Sequence, residues 1–470
     1  MAASSELLET LEGEASRIHS LWRRLTAPQL LAASFLVLVA FGTALLLALP
    51  GLYTGERLSF VDALFTATSA VCVTGLTVVD TGTFFTPFGQ GVLLFLVQLG
   101  GLGILTFTTV VILWLGGRIT LRSEAVVGAL ETGPPIDAAR LLRAVLRYTF
   151  AIEAFGALLL WLAWIRDFGP VHAVWPAIFH AINAFCNAGF SIFSDSLVRF
   201  AGRPFTLSVI MALVLLGGIG FLVLEELNLK LRGRSRRPLS LHTRLVLVTT
   251  AAIVVGGAIL YALFEWTNLL HRFPLAIRPF EALFLSSAAR TAGFNTLNFN
   301  ELSPASLLLT IVLMVVGGSP GSTAGGLKTT TVAVLVALAV ARARGRLITS
   351  AFRRTIPEAT IQRAIGLVIF VVALLTASLL LLLLTELGSH PYTAVEGRFL
   401  GLAFETASAA ATVGLSMGIT PELSSAGKVI IAILMFVGRV GPLTLAASMI
   451  VAAERTRVRI RYATEDVIIG

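Results

Sequence analysis

At 470 residues, with 56% hydrophobic and 13% charged residues, the chain has the composition of a polytopic membrane protein and not of a soluble globular enzyme. A formal net charge of +9 is compatible with nucleic-acid binding, but most of the lysines and arginines fall in loops on one side of the predicted spans. This asymmetry argues against a nucleic-acid partner. It predicts a multi-pass protein of the cell (plasma or inner) membrane with both termini in the cytoplasm.

The chain begins with a charged segment, residues 1–27, which predicts an amphipathic cytoplasmic helix on the lipid surface. Residues 28–115 form a first unit, with a span over 30–52, a short apolar segment over 58–76 and a second span over 88–115. The short segment has too few residues to cross a bilayer, so we expect it to enter the membrane and turn back.

The same order of span, re-entrant segment and span recurs in three further units. Residues 116–230 comprise a linker and the second unit, with segments over 148–164, 172–190 and 205–227. Residues 231–340 comprise a linker and the third unit, with segments over 245–266, 276–294 and 307–340. Residues 341–453 comprise a linker and the fourth unit, with segments over 365–384, 395–415 and 429–453, before a cytoplasmic tail at 454–470.

Each re-entrant segment ends at a glycine, and the glycines recur at similar intervals: Gly75, Gly189, Gly293 and Gly414. A phenylalanine stands ten residues ahead of the glycine in three copies and nine ahead in the third, at Phe65, Phe179, Phe284 and Phe404. An internal period of this kind indicates a repeat architecture. The sequence therefore predicts an all-α membrane protein of four pseudo-fourfold repeats, with eight transmembrane helices and four re-entrant half-helices around a central pore.

The glycine turns predict a selectivity filter. Irregular backbone at membrane depth persists only where it is buried in protein or lines a water-filled cavity, and a ring of carbonyl oxygens can replace the hydration shell of an alkali cation. Neutral side chains favour a monovalent ion, because calcium and magnesium call for carboxylates. Hydroxyls of Thr291 or Thr412 are expected to add an inner site. The predicted lining is Val73, Thr74, Gly75, Leu76, Asn187, Ala188, Gly189, Phe190, Thr291, Ala292, Gly293, Phe294, Thr412, Val413, Gly414 and Leu415.

The third outgoing span is interrupted by small and helix-breaking residues. The interruption is not a phosphate-binding Walker loop, because Leu327 separates the last glycine from Lys328 and apolar helix flanks both sides. We expect either a flexible obstruction below the filter or a simple relief of helix packing. The interrupting residues are Gly317, Gly318, Ser319, Pro320, Gly321, Ser322, Thr323, Ala324, Gly325 and Gly326.

These features together resemble the Trk/Ktr/HKT superfamily of potassium transporters. The resemblance rests on four single-glycine loops, on the run Arg-Thr-Ala-Gly-Phe-Asn at 290–295 and on the break in the third outgoing span, and it covers about residues 28–453. It is closer to KtrB-type membrane subunits than to the longer TrkH type, because no extra pair of spans precedes the first unit. Glycine at all four filter positions goes with potassium preference in this superfamily, while serine in the first loop goes with sodium-permeable plant relatives.

The resemblance also implies partners and a gate. It implies a homodimer with one pore per chain, gated by a KtrA-like cytoplasmic ring of nucleotide-binding (RCK) subunits. The broken span corresponds to the family's gating loop, and Arg439 to an arginine of the last helix that faces the cavity beside this loop. We therefore expect Arg439 to repel cations below the filter and to hold the loop closed, with helix packing as the alternative.

Other polar residues at membrane depth need partners. Arg290 is predicted to support the filter through Glu405 of the neighbouring half-helix, and Lys328 to extend to the cytoplasmic interface. Glu153 is predicted to be a structural partner of a residue that the sequence does not identify. Cys72 and Cys186 are interpreted as buried thiols behind the filter and not as metal ligands.

The predicted function is potassium uptake, with potassium as the ion bound in the filter, sodium as a second candidate and no organic cofactor. One alternative is a sodium-permeable cation transporter of the same superfamily. Another is a secondary transporter of a small solute, which broken helices also indicate, although four like-oriented copies differ from an inverted pair. An enzyme is not expected, because the sequence offers no nucleophile-base grouping, metal cluster or cofactor loop.

Overall fold

The computed structural model describes residues 27–114, 138–233, 238–388, 390–391, 395 and 397–441. The predicted N-terminal surface helix and the cytoplasmic tail lie outside these ranges, as do residues 115–137 of the first linker and 442–453 of the last predicted span. The described chain is mostly helical.

The helices are numbered here in chain order and grouped by the four sequence units. The first unit contains α1 (Ala27–Ala48), α2 (Phe60–Val71), α3 (Thr81–Phe84) and α4 (Pro87–Trp114). The second contains α5 (Ala138–Phe168), α6 (Val174–Cys186), α7 (Pro204–Ile219) and α8 (Phe221–Leu231). The third contains α9 (Leu241–Glu265), α10 (Arg278–Ala288), α11 (Pro304–Val315) and α12 (Thr329–Ala343). The fourth contains α13 (Glu358–Glu386), α14 (Arg398–Ala411) and α15 (Ser425–Val440).

Short 3₁₀ turns and one hairpin connect these helices. The 3₁₀ turns cover Val198–Phe200, Leu269–Arg272, Phe299–Glu301 and Thr420–Glu422. Two antiparallel strands, β1 (Ser350–Ala351) and β2 (Arg354–Thr355), form a small hairpin between α12 and α13.

Four of the described helices are long and apolar enough to cross a membrane, namely α1, α5, α9 and α13, and the bent pair α7 and α8 makes a fifth span. The other three predicted spans correspond to an unbroken helix of 28 residues, to an interrupted helix pair and to a helix that is described only in part. One is α4, one is the interrupted pair α11 and α12, and one is α15, whose last described residue is Val440.

The four short helices α2, α6, α10 and α14 are 11 to 14 residues long, as expected for half-helices. Each packs on the first helix of its own unit or on the outgoing one, and each also packs on the outgoing helix of the preceding unit. In this way α6 contacts α4, α10 contacts α7 and α14 contacts α11, while α2 contacts α15. The contact between α2 and α15 joins the first unit to the fourth, so the helix packing closes into a ring.

One predicted span is wrong as a single helix. Residues 205–227 form α7 and α8, which meet at an angle of 103° at Gly220. The amide of Phe221 does not bond to the carbonyl four residues back but donates to the Gly321 oxygen at 3.0 Å. The carbonyls of Gly217 and Gly218 accept instead from the amides of Thr323 and Ser319. The helix breaks because its backbone groups are bonded to the interruption of the third unit.

Candidate functional site

The four short helices end in loops with a common backbone, here called glycine loops I to IV (residues 73–76, 187–190, 291–294 and 412–415). The residue two positions before each glycine is left-handed, although it carries a side chain; its φ is 57° at Val73, 58° at Asn187, 61° at Thr291 and 51° at Thr412. The glycines have φ of 91°, 71°, 74° and 91° in the same order. Two positive-φ residues in three positions turn the chain back sharply where the helix ends.

The interval between the repeated phenylalanine and the glycine is one residue shorter in the third copy, and the backbone hydrogen bonds of the loop give the reason. In loops I, II and IV the amide of the residue before the glycine bonds to the carbonyl five residues back, as from Thr74 to Ser69 at 2.8 Å. In loop III the amide of Ala292 bonds to Ala288, four residues back, at 3.2 Å. The tighter turn explains why Phe284 precedes its glycine by nine residues and not ten.

The backbones of the four loops are in contact with one another. A Cβ added to Gly75 would lie 2.2 Å from the Ala188 carbonyl oxygen, and one added to Gly414 would lie 2.1 Å from the Thr74 oxygen. A Cβ on Gly189 would lie 2.7 Å from the Cα of Gly293, and one on Gly293 would lie 2.7 Å from the Val413 oxygen. The loops therefore follow each other in the order I, II, III, IV around one point, and only glycine fits at each position.

The residue after each glycine turns its side chain into the hydrophobic core, so the backbone and not these side chains faces the meeting point of the loops. These residues are Leu76, Phe190, Phe294 and Leu415, and each is at most 1% exposed. The hydroxyls expected to add an inner site differ in their surroundings. Thr291 Oγ1 donates to the Arg290 carbonyl, whereas Thr412 Oγ1 is buried and has no hydrogen-bond partner among the residues that the structure describes.

A cavity of about 350 Å³ lies on one side of the four glycines and is lined by all of them. Polar side chains of the following residues complete its wall, including Ser191, Asn295, Ser416 and Thr420. Its acidic group is Asp80, which also caps α3 by accepting from the Gly82 amide at 2.8 Å. The cavity thus offers hydroxyl, amide and carboxylate oxygens in front of a ring of backbone.

The interruption of the third unit, here called the break segment (residues 316–328), lies against the other side of the glycine loops. Asn187 Nδ2 donates to Thr323 Oγ1 at 2.9 Å, and this hydroxyl donates to the Phe185 carbonyl at 3.1 Å. A Cβ added to Gly325 would lie 2.1 Å from Thr412 Oγ1. The break segment therefore touches glycine loops II and IV directly.

The break segment is a closed loop and not an extended linker. Val316 and Leu327 form a parallel bridge at its neck, where the Gly317 amide donates to the Leu327 oxygen at 2.9 Å and the Leu327 amide donates to the Val315 oxygen at 3.1 Å. The hydroxyls of Ser319 and Thr329 lie 3.0 Å apart across the loop. Together with the bonds to Gly217 and Gly218, these contacts satisfy backbone that would otherwise be unpaired at membrane depth.

Arg439 joins the break segment to the first unit. Its guanidinium donates to the Thr323 carbonyl, and its Nη2 donates to the Gly100 carbonyl at 2.5 Å. The residue is 3% exposed, and both of these partners are neutral. Over the residues that the structure describes, Arg439 forms no ion pair, so its positive charge acts on the space around the break segment.

Two predicted contacts are corrected. Arg290 does not pair directly with Glu405 in the described structure. Arg290 donates to the Gly317 carbonyl at 3.2 Å, and Glu405 accepts from Ser416 and, at 3.1 Å, from Thr420. Each group bonds to a different partner: Arg290 supports the neck of the break segment, and Glu405 supports the chain that follows Gly414.

Lys328 also differs from the prediction that it extends to the cytoplasmic interface. Its Nζ donates to the Ala324 carbonyl at 2.8 Å and lies 3.5 Å from the Gly325 oxygen. The side chain folds back because these carbonyls lie within its own loop and no helix amide is available to them.

The partner of Glu153 is Gln98. Its Nε2 lies 3.2 Å from both carboxylate oxygens, and the thiol of Cys186 lies 3.8 Å from one of them. The sequence interpretation missed this cluster and the bend at Gly220. Nothing in local spacing pairs Gln98 with Glu153, whereas the Gly217-Gly218-Ile-Gly220 run resembles the glycine-rich interruption of the third unit and was an available signal.

Comparisons with known proteins agree over nearly the whole chain. The TrkH family model, described as a cation transport protein, matches residues 14–458. Ktr system potassium uptake protein B of Bacillus subtilis is 38% identical over 96% of this chain and 98% of its own length. Potassium/sodium uptake protein NtpJ of Enterococcus hirae is 36% identical over 95% of this chain and 98% of its own length.

A solved structure has the same fold. The potassium transporter TrkH from Vibrio parahaemolyticus superposes with a TM-score of 0.69 over 89% of this chain and 83% of its own, at 18% sequence identity. The predicted resemblance to the Trk/Ktr superfamily is confirmed by the family match. The chain belongs to the TrkH family, whose members are membrane proteins that transport cations.

Proposed function

We propose that this protein takes up potassium across the cell membrane through a channel-like pore, with glycine loops I to IV as its selectivity filter. The observation that carries the proposal is the approach of the four glycine loops to one point, with the carbonyl oxygens of Thr74, Ala188, Ala292 and Val413 at the contacts. Backbone carbonyls held at close quarters can replace water around a weakly hydrated monovalent cation. The short helices direct the negative ends of their dipoles toward the same place.

The break segment and Arg439 are proposed to form the gate, in a closed conformation here. The contacts of Thr323 with Asn187 and Phe185 support this role, because they position the loop directly against the filter. The two carbonyl bonds of Arg439 fix the loop, and its uncompensated charge opposes a cation below the filter. Packing relief alone does not require a loop that bonds to two other units.

The names of the related proteins favour potassium as the transported ion. Two of them are named for potassium uptake and one for both potassium and sodium, so sodium is a second candidate ion. Glycine in all four loops of this chain supports potassium preference within the superfamily. A homodimer with one pore per chain, a KtrA-like RCK ring on the cytoplasmic face and two cytoplasmic termini complete the proposal. These last elements rest on the family resemblance and on the charge asymmetry of the loops.

Ion flux into liposomes tests the proposal. Purified full-length protein is reconstituted into liposomes, and uptake of rubidium, as a potassium tracer, is measured with the potassium gradient directed inward and then outward. Uptake is measured again with sodium or potassium added as the competitor. Rubidium uptake that follows the potassium gradient and is inhibited by potassium far more than by sodium is expected. Equal inhibition by sodium would favour a sodium-permeable transporter, and saturable uptake of a neutral solute without ionic current would favour a secondary transporter.

A further inference from the structure

Glycine loops II and IV carry an equivalent support that the sequence analysis did not find. The residue after the repeated phenylalanine of each short helix is Thr66, His180, Leu285 or Glu405. In α6 and α14 this residue has a hydrogen-bonding side chain that reaches past the glycine of its own loop. His180 and Glu405 are both fully buried.

In loop II the support runs from His180 to Ser191, two residues after Gly189. The imidazole Nε2 lies 2.9 Å from Ser191 Oγ, and Nδ1 lies 2.8 Å from the Pro176 carbonyl. A carbonyl can only accept, so Nδ1 carries the proton and the serine hydroxyl donates to Nε2. Ser191 Oγ in turn accepts from the Phe193 amide at 3.0 Å.

In loop IV the same position makes the same contact. Ser416, two residues after Gly414, donates its hydroxyl to one oxygen of Glu405, and Thr420 donates to the other at 3.1 Å. Ser416 Oγ accepts from the Gly418 amide at 2.8 Å, just as Ser191 accepts from the amide two residues further on. Both serines line the cavity of about 350 Å³ in front of the glycines.

The other two loops are held differently. In loop I, Ser69 donates to the Leu76 carbonyl at 2.7 Å, and the buried hydroxyl of Thr66 has no hydrogen-bond partner within the described part of the chain. In loop III, Leu285 offers no polar group, and Thr296 donates to Glu281 at 2.9 Å. Since the loops follow in the order I to IV around the ring, loops II and IV face each other across it.

We propose that His180 and Glu405 are positioning residues that contribute to ion selectivity. They hold Ser191 and Ser416, and thereby fix the chain that follows the glycine in two facing filter loops. The inference rests on the proposed function of the loops as a filter. A carbonyl cage distinguishes ions of different radius only while its oxygens stay in place, and polar groups locked by buried partners keep the loop in one conformation. The aromatic ring of Phe193, stacked on His180 with centroids 4.7 Å apart, holds the imidazole itself in place.

The test removes each hydroxyl without altering the short helices. Ser191→Ala and Ser416→Ala are made in the full-length protein, with Ser191→Thr and Ser416→Thr as variants that keep the hydroxyl. Thr66→Val is the matched control, because it removes a hydroxyl at the register of His180 and Glu405 that has no partner. The permeability ratio of potassium to sodium is measured from reversal potentials in planar bilayers, beside the total rubidium uptake.

Each alanine variant is expected to lower the ratio about fivefold, the effect of one lost hydrogen bond, while the threonine variants and Thr66→Val keep it. If an alanine variant does not purify as folded protein, His180→Phe and Glu405→Leu, which remove the acceptor of the serine hydroxyl, are expected to lower the ratio to the same extent. If the wild type prefers potassium and the alanine variants prefer it to the same degree, this inference is wrong and the filter proposal is unaffected. A wild type without selectivity would overturn the filter proposal together with it.

Discussion

At the scale of single residues, Gly75 shows most directly why the loops need glycine. Its φ is 91°, and an added Cβ would lie 2.2 Å from the Ala188 oxygen. Both the backbone strain and the contact oppose any side chain, and the atom that must move is a proposed ion ligand.

Gly75→Ser is therefore expected to lower the preference for potassium over sodium by roughly tenfold, equivalent to about 1.4 kcal/mol of differential binding. Competition of rubidium uptake by sodium measures the effect. Gly366→Ser is the control, because that helical glycine has open space around it and an ordinary φ. An unchanged ratio in folded Gly75→Ser protein would count against the filter assignment.

Arg439 acts through two carbonyls at once, and its removal should free the break segment. Arg439→Ala is expected to raise basal potassium flux several-fold, since both the bond to Thr323 and the opposing charge are lost, with the ratio of potassium to sodium unaltered. Flux in the absence of any cytoplasmic partner measures this. Arg272→Ala, which removes an exposed pair with Glu301, is expected to leave flux as it is. A lower flux through folded Arg439→Ala protein would refute the gate.

At the scale of elements, two interrupted helices support each other. The bend between α7 and α8 exposes the carbonyls of Gly217 and Gly218, and the break segment between α11 and α12 supplies the amides that bond to them. In return, Gly321 of the break segment accepts from Phe221. Neither interruption would be stable alone at membrane depth, because unpaired backbone groups there cost several kcal/mol each.

Gly220→Ala tests this mutual support. The glycine has φ of 98°, and an added Cβ would lie 2.7 Å from the Pro320 oxygen, so alanine should displace the break segment at a cost of about 1–3 kcal/mol. Higher basal flux and a lower melting temperature are expected. Gly256→Ala, in α9 with open space around it, should leave flux unchanged and should not lower the melting temperature, because alanine favours the helix. Wild-type flux and stability in the Gly220 variant would show that the bend does not hold the loop.

At the scale of the whole molecule, the ring closes where the first unit meets the fourth. Lys428 of α15 pairs with Asp62 of α2 at 2.7 Å, across 366 positions of sequence. The side chains are only 15% and 24% exposed, so this pair is less screened than the exposed pair of Arg398 and Glu422 at 3.6 Å.

Lys428→Met should therefore destabilise the protein by about 1 kcal/mol, since it leaves Asp62 partly buried without its cation. Arg398→Met removes the exposed pair and should have almost no effect. Melting temperatures of the two variants in the same detergent make the comparison. Equal melting temperatures would indicate that the closure of the ring depends on apolar packing alone.

The helical membrane class, the four short apolar helices with their glycine turns, the break in the third unit and the family could all be inferred from the amino-acid sequence. These follow from composition, from hydrophobic length and from a repeat, which are properties of local chain segments. The alignment of the copies also showed the shorter interval between phenylalanine and glycine in the third copy, which results from the tighter turn at Ala292.

The contacts between polar groups could not be inferred in this way, because they form between helices and loops that are far apart in the chain. Arg290 bonds to Gly317 and not to Glu405, Glu153 pairs with Gln98, and His180 and Glu405 reach the serines beyond their glycines. Each of these contacts depends on the relative rotation of helices or on the path of a loop, and each polar group takes the nearest available partner in a medium without water. The spacing of residues in the sequence does not indicate which partner is nearest, because the partners belong to different elements that come into contact only when the ring of helices is assembled.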